Sequence, residues 1–271
     1  MIQFSVLMSL YIKENPKNLS DCLLSLENQT TLANEIIIVL DGPITAELQQ
    51  VLDTFSERLP IKLIPLAHNV GLGKALNEGL RHCSNEWIFR MDTDDICLLD
   101  RFEKQVAFVK ANPDVSLVGG QIEEFEEAMS FSTGKRLVPT EYQAICQKAL
   151  KTNPFNHMTV AYKKSAVLDA GSYLHHLFME DYNLWLRMIA KGYLVRNLPD
   201  ILVNVRAGSA MHSRRKGLNY IKSEYDLAQL KYRLGLQSKF MAQSYFILRA
   251  IPRLFPNFIL KTIYNFLRGK K

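Results

Sequence analysis

Five short apolar runs separated by four segments with helical spacing fill the first 125 residues, and this alternation constrains the fold more than any other feature. Strands are predicted over 3–10, 35–40, 61–66, 86–91 and 115–119, with helices near 18–29, 44–58, 72–83 and 98–111. The runs are rich in Ile, Val, Leu and Phe, as expected of a mostly parallel sheet whose two faces are both covered by helices. The expected class is therefore α/β. In such a sheet ligands gather at the carboxyl ends of the strands, which says where chemistry should be sought.

Beyond this region the pattern changes twice. Residues 126–138 read as irregular and polar, followed by a helix near 140–151, a strand-like stretch at 158–162 and an amphipathic helix over 181–191, with Gly192 as its stop. From 213 onward the chain is helical in pattern, basic, and broken by Pro252 and Pro256. Three parts are expected: 1–125 and 126–212 as two halves of one domain, and 213–271 as a basic helical extension. Charge marks the last boundary. Residues 1–212 hold 20 Lys+Arg against 25 Asp+Glu, whereas the last 59 residues hold 13 against 2. With 48% hydrophobic and 22% charged residues, wholesale disorder and coiled coil are excluded. The longest uncharged runs, 1–12 and 240–248, fall short of the ~20 residues of a membrane span. No basic n-region or cleavage site opens the chain, and Cys22, Cys83, Cys97 and Cys146 form no CxxC pair, so a reducing cytosol is expected.

The sharpest candidate for chemistry is Arg90-Met-Asp92-Thr-Asp94-Asp95, directly after a predicted strand. Crowded carboxylates repel unless a cation neutralises them, and hard ions such as Mg²⁺ or Mn²⁺ take oxygen ligands from carboxylate and phosphate together. The competing reading is an Asx turn with Asp95 capping the next helix. Asp41, followed by Gly42, ends another strand on the same edge; it is either a turn former or an acceptor of hydrogen bonds from a ribose or base. Asn69-Val-Gly71-Leu-Gly73-Lys74 opens a helix, either as an ordinary turn or as a phosphate cradle with a lysine counter-charge.

Taken in order, Ser9-Leu-Tyr11, Gln29-Thr30, Val39-Leu-Asp41-Gly42, Asn69-Val-Gly71-Leu-Gly73, Arg90-Met-Asp92-Thr-Asp94-Asp95 and Met179-Glu180-Asp181 resemble the family 2 glycosyltransferases, inverting nucleotide-sugar enzymes of the GT-A fold. The resemblance spans roughly residues 3–212. Lys13-Glu14, Pro16, Asp95-Ile96 and Arg101 point to the bacterial branch that builds O-antigen, capsule or exopolysaccharide. It implies that Tyr11 and Asp41 contact the uracil and ribose of a UDP-sugar donor, that Asn69 and Gly71 belong to the same nucleotide site, and that Lys74 and Arg90 lie near the diphosphate or donor sugar. It further implies that Asp92 binds the ribose or sugar side and that Asp94 is the main ligand of Mn²⁺ or Mg²⁺. The pair Glu180-Asp181 maps onto the catalytic base, with Asp181 the better candidate; the competing reading is a helix cap. His212 is placed either as a further metal ligand or as a surface residue, and His157 either in the acceptor pocket or as a structural histidine. Ile12 departs from the Asn that many relatives carry, and no QxxRW motif of processive synthases occurs.

The implied reaction is transfer of a hexose to an acceptor hydroxyl with inversion, the acceptor being a lipid-linked saccharide. Apolar and cationic residues interleave from Tyr245 to Arg268, which suits either a helix lying on an anionic membrane at the cytoplasmic face or a helical lid. The tail's aromatics form a hydrophobic face rather than spaced stacking platforms, so no nucleic-acid partner is expected. Sugar nucleotidyl transfer and a non-catalytic nucleotide-binding or nucleic-acid-binding role are the competing functions.

Overall fold

The computed structural model describes residues 2–207 and 217–250 of the chain. Its first half repeats a strand–helix unit: β1 (Phe4–Leu10), α1 (Pro16–Glu27), β2 (Glu35–Leu40), α2 (Ala46–Ser56), β3 (Ile61–Pro65), α3 (Leu72–His82) and β4 (Trp87–Arg90). These strands run parallel in the order β3-β2-β1-β4. Alternate side chains of β1 and β2 go to opposite faces. Val6, Met8, Leu10, Ile36 and Ile38 pack under α1 and α2 with Leu19, Leu23, Leu48 and Leu52, whereas Leu7, Ile37 and Val39 pack under α3 with Leu76 and Leu80. Each such fully buried side chain is worth roughly 1.5–3 kcal/mol, which is why the strands carry no polar face. Phe4, Phe89 and Phe102 form an aromatic knot with ring centroids 4.3, 5.1 and 5.5 Å apart.

The second half extends the same sheet with mixed polarity. It comprises β5 (Ile96–Cys97), α4 (Arg101–Ala111), β6 (Val115–Phe125), β7 (Ser132–Arg136), α5 (Tyr142–Ala149), a 3₁₀ turn (His157–Thr159), β8 (Ala161–Lys163), α6 (Lys164–Asp169), α7 (Glu180–Ala190) and β9 (Leu194–Arg206). The strand order continues β4-β8-β6-β9-β5, with β7 paired to β6; β8 is antiparallel to β4 and β6, and β9 is parallel to β6. Two helices follow, α8 (Leu218–Arg233) and α9 (Lys239–Ala250).

Several boundaries differ from the sequence reading. The predicted helix at 98 starts at Arg101, because Ile96 and Cys97 first pair with Asn204 and Val203 of β9. Asp95 therefore caps no helix; Asp100 occupies that position. The irregular stretch 126–138 contains β7, and the strand-like run 158–162 divides between the 3₁₀ turn and β8. Strand β6 runs six residues beyond the predicted end at 119. The predicted break at Pro252 and Pro256, and His212, lie outside the described residues.

Candidate active site at the carboxyl edge of the sheet

The backbone of β4 stays paired to its last residue, with Arg90 N–H donating to Val160 O (2.8 Å) and Met91 N–H to Leu7 O (3.2 Å). The Asp92–Asp95 loop then leaves the sheet at its carboxyl edge and is tied down from below and beside. Cys22 Sγ donates to Asp92 O (3.2 Å), the buried Arg101 guanidinium donates to Arg90 O (2.7 Å), and Thr93 Oγ1 donates to Glu14 Oε2 (2.7 Å). Arg206, at the end of β9, donates through Nε to Asp94 O (2.8 Å) and through its backbone N–H to Asp95 Oδ1 (3.0 Å), and pairs with Asp21 at 2.8 Å. The loop is thus rigid where its carboxylates are crowded.

One oxygen from each of Asp92, Asp94 and Asp95 lies within 4.8 Å of the others. Arg90, itself buried, forms an ion pair with Asp92. Burial pulls the Arg90 pKa down, but the Asp92 charge and hydrogen bond more than offset this and leave it raised. Burial, then the charges of Asp92 and Glu14, push the Asp94 carboxyl up to about 7. Burial and the Asp94 charge likewise raise Asp95. A half-buried, all-oxygen set that resists ionising alone fits a hard divalent cation such as Mg²⁺ or Mn²⁺, whose charge would restore the carboxylate form.

Two strands away, roughly 10 Å by strand spacing, Asp41 ends β2. Its carboxylate accepts from the backbone N–H groups of Val70 (2.6 Å) and Gly71 (3.1 Å), and its carbonyl accepts from Asn69 Nδ2 (3.2 Å). Asp41 thereby pins the turn that starts α3. Gly71 adopts φ +87°, a left-handed conformation that favours glycine, and lets the first N–H groups of α3 point outward. Lys74 is exposed in that first turn, and Tyr11 is half-buried at the rim beyond β1.

The other wall comes from the second half of the chain. Tyr173 exchanges two hydrogen bonds with Asn77 of α3, donating its N–H to Asn77 Oδ1 (2.9 Å) and accepting Asn77 Nδ2 at its carbonyl (2.7 Å). Its hydroxyl meets His157 Nε2 at 3.0 Å, and the His157 and Trp185 ring centroids are 6.0 Å apart. Burial and the neighbouring Arg90 charge hold the His157 pKa well below its ordinary value, so the ring is neutral. Glu180 and Asp181 form the first turn of α7. Gly73 lies so close to Glu180 that a Cβ there would stand 3.2 Å from Glu180 Cγ, which joins the α3 N-terminus to this pair. Asp181 accepts from Asn153 Nδ2 at 2.6 Å. Burial raises both carboxyls. The Arg90 charge acts on Asp94, Asp95, His157, Tyr173 and Asp181 alike, so these groups share one electrostatic unit.

The structure therefore unites Arg90, Asp92, Asp94, His157, Glu180 and Asp181 around one cleft, and groups Asp41, Asn69 and Gly71 beside it. Sequence reasoning missed Asn77, Asn153, Tyr173 and Arg206. The Asn153-Pro154 dipeptide is a turn signal, and Arg206 closes an alternating apolar run, but neither feature names a partner.

A sheet with acidic and glycine-rich loops at the carboxyl ends of its strands, closed by an acidic helix start, defines a GT-A-fold sugar-nucleotide transferase. Residues 5–173 match the model of glycosyl transferase family 2, and the chain belongs to that family. This displaces the nucleotidyltransferase and non-catalytic readings. The chain is 52% identical over 268 residues to an uncharacterized glycosyltransferase of Haemophilus influenzae, covering 98% of this chain and 100% of that one. It is 49% identical to the amylovoran biosynthesis glycosyltransferase AmsE of Erwinia amylovora, covering 97% and 98%. It is 37% identical to the Escherichia coli UDP-Gal:alpha-D-GlcNAc-diphosphoundecaprenol beta-1,3-galactosyltransferase, covering 93% and 90%. Among solved structures, residues 1–349 of Staphylococcus aureus TarS, in complex with UDP-GlcNAc, share the fold at TM-score 0.70 and 17% identity, covering 94% of this chain and 73% of that one. The chain spans 44% of the longer TarS structure.

Proposed function

We propose that this glycosyltransferase moves a hexose from a UDP-sugar, with inversion, to a saccharide carried on a lipid diphosphate, in the assembly of a surface polysaccharide. The observation that carries the reading is the Asp92–Asp94–Asp95 cluster facing the same cleft as Asp181, with Arg90 acting on both. The names of the Escherichia coli and Erwinia relatives support the donor, the lipid-linked acceptor and the polysaccharide product.

Asp94, with Asp92, would hold Mn²⁺ or Mg²⁺, which supplies Lewis-acid stabilisation of a departing diphosphate. The N–H groups at the start of α3 and Lys74 add positive potential on the donor side. Asp41 acts indirectly in this reading, by shaping that turn with both its oxygens. On the acceptor side Asp181 takes the proton of the attacking hydroxyl, a task that needs a carboxylate within hydrogen-bond reach. One in-line displacement completes the transfer, and no covalent intermediate forms. His157 and Tyr173 wall the acceptor end, with Glu180 beside them. His212 remains a proposed further ligand by its place in the sequence.

The acceptor places the enzyme at the cytoplasmic face of an anionic membrane. Among the described residues no helix is long and apolar enough to cross a membrane. Helix α9 instead exposes Phe240, Met241, Ile247 and Leu248 at helical spacing, and the sequence beyond it continues basic and apolar. A panel of nucleotide sugars with Mn²⁺ tests the function: thermal stabilisation and slow hydrolysis by a UDP-sugar are expected, and a response confined to other nucleotides would overturn the donor assignment.

A further inference from the structure

The segment that connects α5 to the 3₁₀ turn is held more firmly than a loop of its polarity requires. Tyr182 Oη donates to Ala149 O (2.6 Å), Lys231 Nζ to Leu150 O (2.9 Å) and Arg249 to Lys151 O (2.9 Å). Two residues further on, Asn153 is fixed at each polar atom. Arg136 donates to its carbonyl at 3.2 Å, and its side-chain Oδ1 accepts the Phe155 N–H at 3.2 Å. That second contact settles which way the amide points, since an N–H cannot face the Phe155 N–H. The Nδ2 group is therefore left to donate to Asp181 Oδ2 at 2.6 Å.

From this geometry we infer that Asn153 is the positioning residue of the catalytic base: its amide holds one carboxylate oxygen of Asp181 and leaves the other facing the acceptor hydroxyl. The inference rests on the reading of Asp181 as base. A neutral donor suits the task because it orients the carboxylate and favours its charged form without neutralising it, whereas a cation would reduce its basicity far more. The groups that act on Asp181 are Glu180 and Tyr182 on its own helix, Arg136 from β7, Arg90 from β4, and Tyr173 and Asn153 from the connecting segments. Burial raises the Asp181 pKa, and the Asn153 bond opposes that rise more than any other neighbour does.

The test is the pH profile of kcat/KM for Asn153→Ala and for the milder Asn153→Ser, alone and combined with Asp181→Asn, together with UDP-sugar affinity. Loss of the amide should move the acid limb of the profile upward by about one pH unit, from the typical strength of a hydrogen bond to a charged group. Turnover at neutral pH should drop about tenfold, with donor affinity unchanged. In the Asp181→Asn background the same substitution should cost almost nothing further. An unmoved acid limb, or additive losses in the double variant, overturns the inference; Asn153→Ser supplies the reading if the alanine variant does not fold. If Asp181→Asn alone retains turnover, it is the assignment of the base that fails.

Discussion

Removing one charge from the Asp92–Asp95 loop should stabilise the metal-free protein while destroying its capacity for metal. Burial, with Asp92 and Glu14 nearby, raises Asp94 from an ordinary 3.8 to about 7. The folded state then keeps its proton up to about pH 7, whereas the unfolded chain releases it near 3.8. Folding stability is therefore lost as pH rises through that window and stays at the lower level above it. At 1.36 kcal/mol per pKa unit the window is worth about 4 kcal/mol, and sharing of the repulsion with Asp92 and Asp95 reduces the expected effect to about 2 kcal/mol. Asp94→Asn cannot ionise and escapes this loss. In chelator-treated protein at pH 8 its Tm should exceed the wild type's by about 4–8 °C, with the gap closing toward pH 4. Added Mn²⁺ should reverse the order, because only the wild type gains a ligand. Wild-type affinity for Mn²⁺ should also fall up to tenfold per pH unit below about 7, since binding must displace the proton. A metal-free variant less stable than wild type at pH 8, or a gap independent of pH, would refute the repulsion argument.

Asp181→Asn should leave UDP-sugar affinity intact and reduce turnover by ~10²–10⁴, the usual worth of a general base, with Glu180→Gln costing less; transfer to a synthetic lipid-linked acceptor measures both, and near-normal turnover by Asp181→Asn would falsify the assignment. Arg206→Met should lower Mn²⁺ and UDP affinity together, read by calorimetry, because one side chain ties Asp21 to the Asp94 carbonyl; unchanged affinities would show that the loop holds its shape unaided. Deleting residues 251–271 should weaken sedimentation with anionic liposomes at ~0.15 M salt more than it weakens UDP binding, leaving only short-range attraction to be tested. A cut after Leu236 is the wrong experiment, since it also removes Arg249, the partner of the buried Glu224 at 2.6 Å.

The parallel half was legible because each strand is buried on both faces: Ile36-Ile-Ile-Val-Leu40 can be nothing but a central strand. Strand β9 was not. Pro199 and Asp200 interrupt its sequence, and the structure accommodates them by a register shift in which Gly119 aligns with Asn197 but Gln121 with Ile201. Likewise Gly119-Gly120 looks like the end of β6, whereas a side chain there would collide with Phe155 at 3.1 Å and Leu202 at 2.6 Å. The acidic loop was legible as a local string of like charges. Its supports were not, since Arg206 lies 112 positions from Asp94 and Asn153 lies 28 from Asp181. Asp41 shows the reverse failure. Its position at a strand end was read correctly, but the occupants of its carboxylate are backbone N–H groups, which no side-chain pattern announces.

The charge boundary near residue 212 also divides the chain less cleanly than the count of lysines and arginines implies. Within the basic part, Lys231 and Glu224 are buried, Lys231 lies 4.9 Å from the Tyr182 ring, and its Nζ caps the exposed carbonyl end of α5. Burial and the nearby Arg249 lower Lys231 to about 7, so its cation is held at a cost that a surface lysine would not bear. A cationic partner at a helix C-terminus recovers part of that cost, since the free carbonyls there carry the negative end of the helix dipole. Helices α8 and α9 are therefore built into the wall that carries Asn153 and Asp181. Cation density in this stretch reports two separate tasks: Lys231 and Arg249 face inward to fix the catalytic wall, and only the exposed α9 stripe with the sequence beyond it is left to meet a membrane.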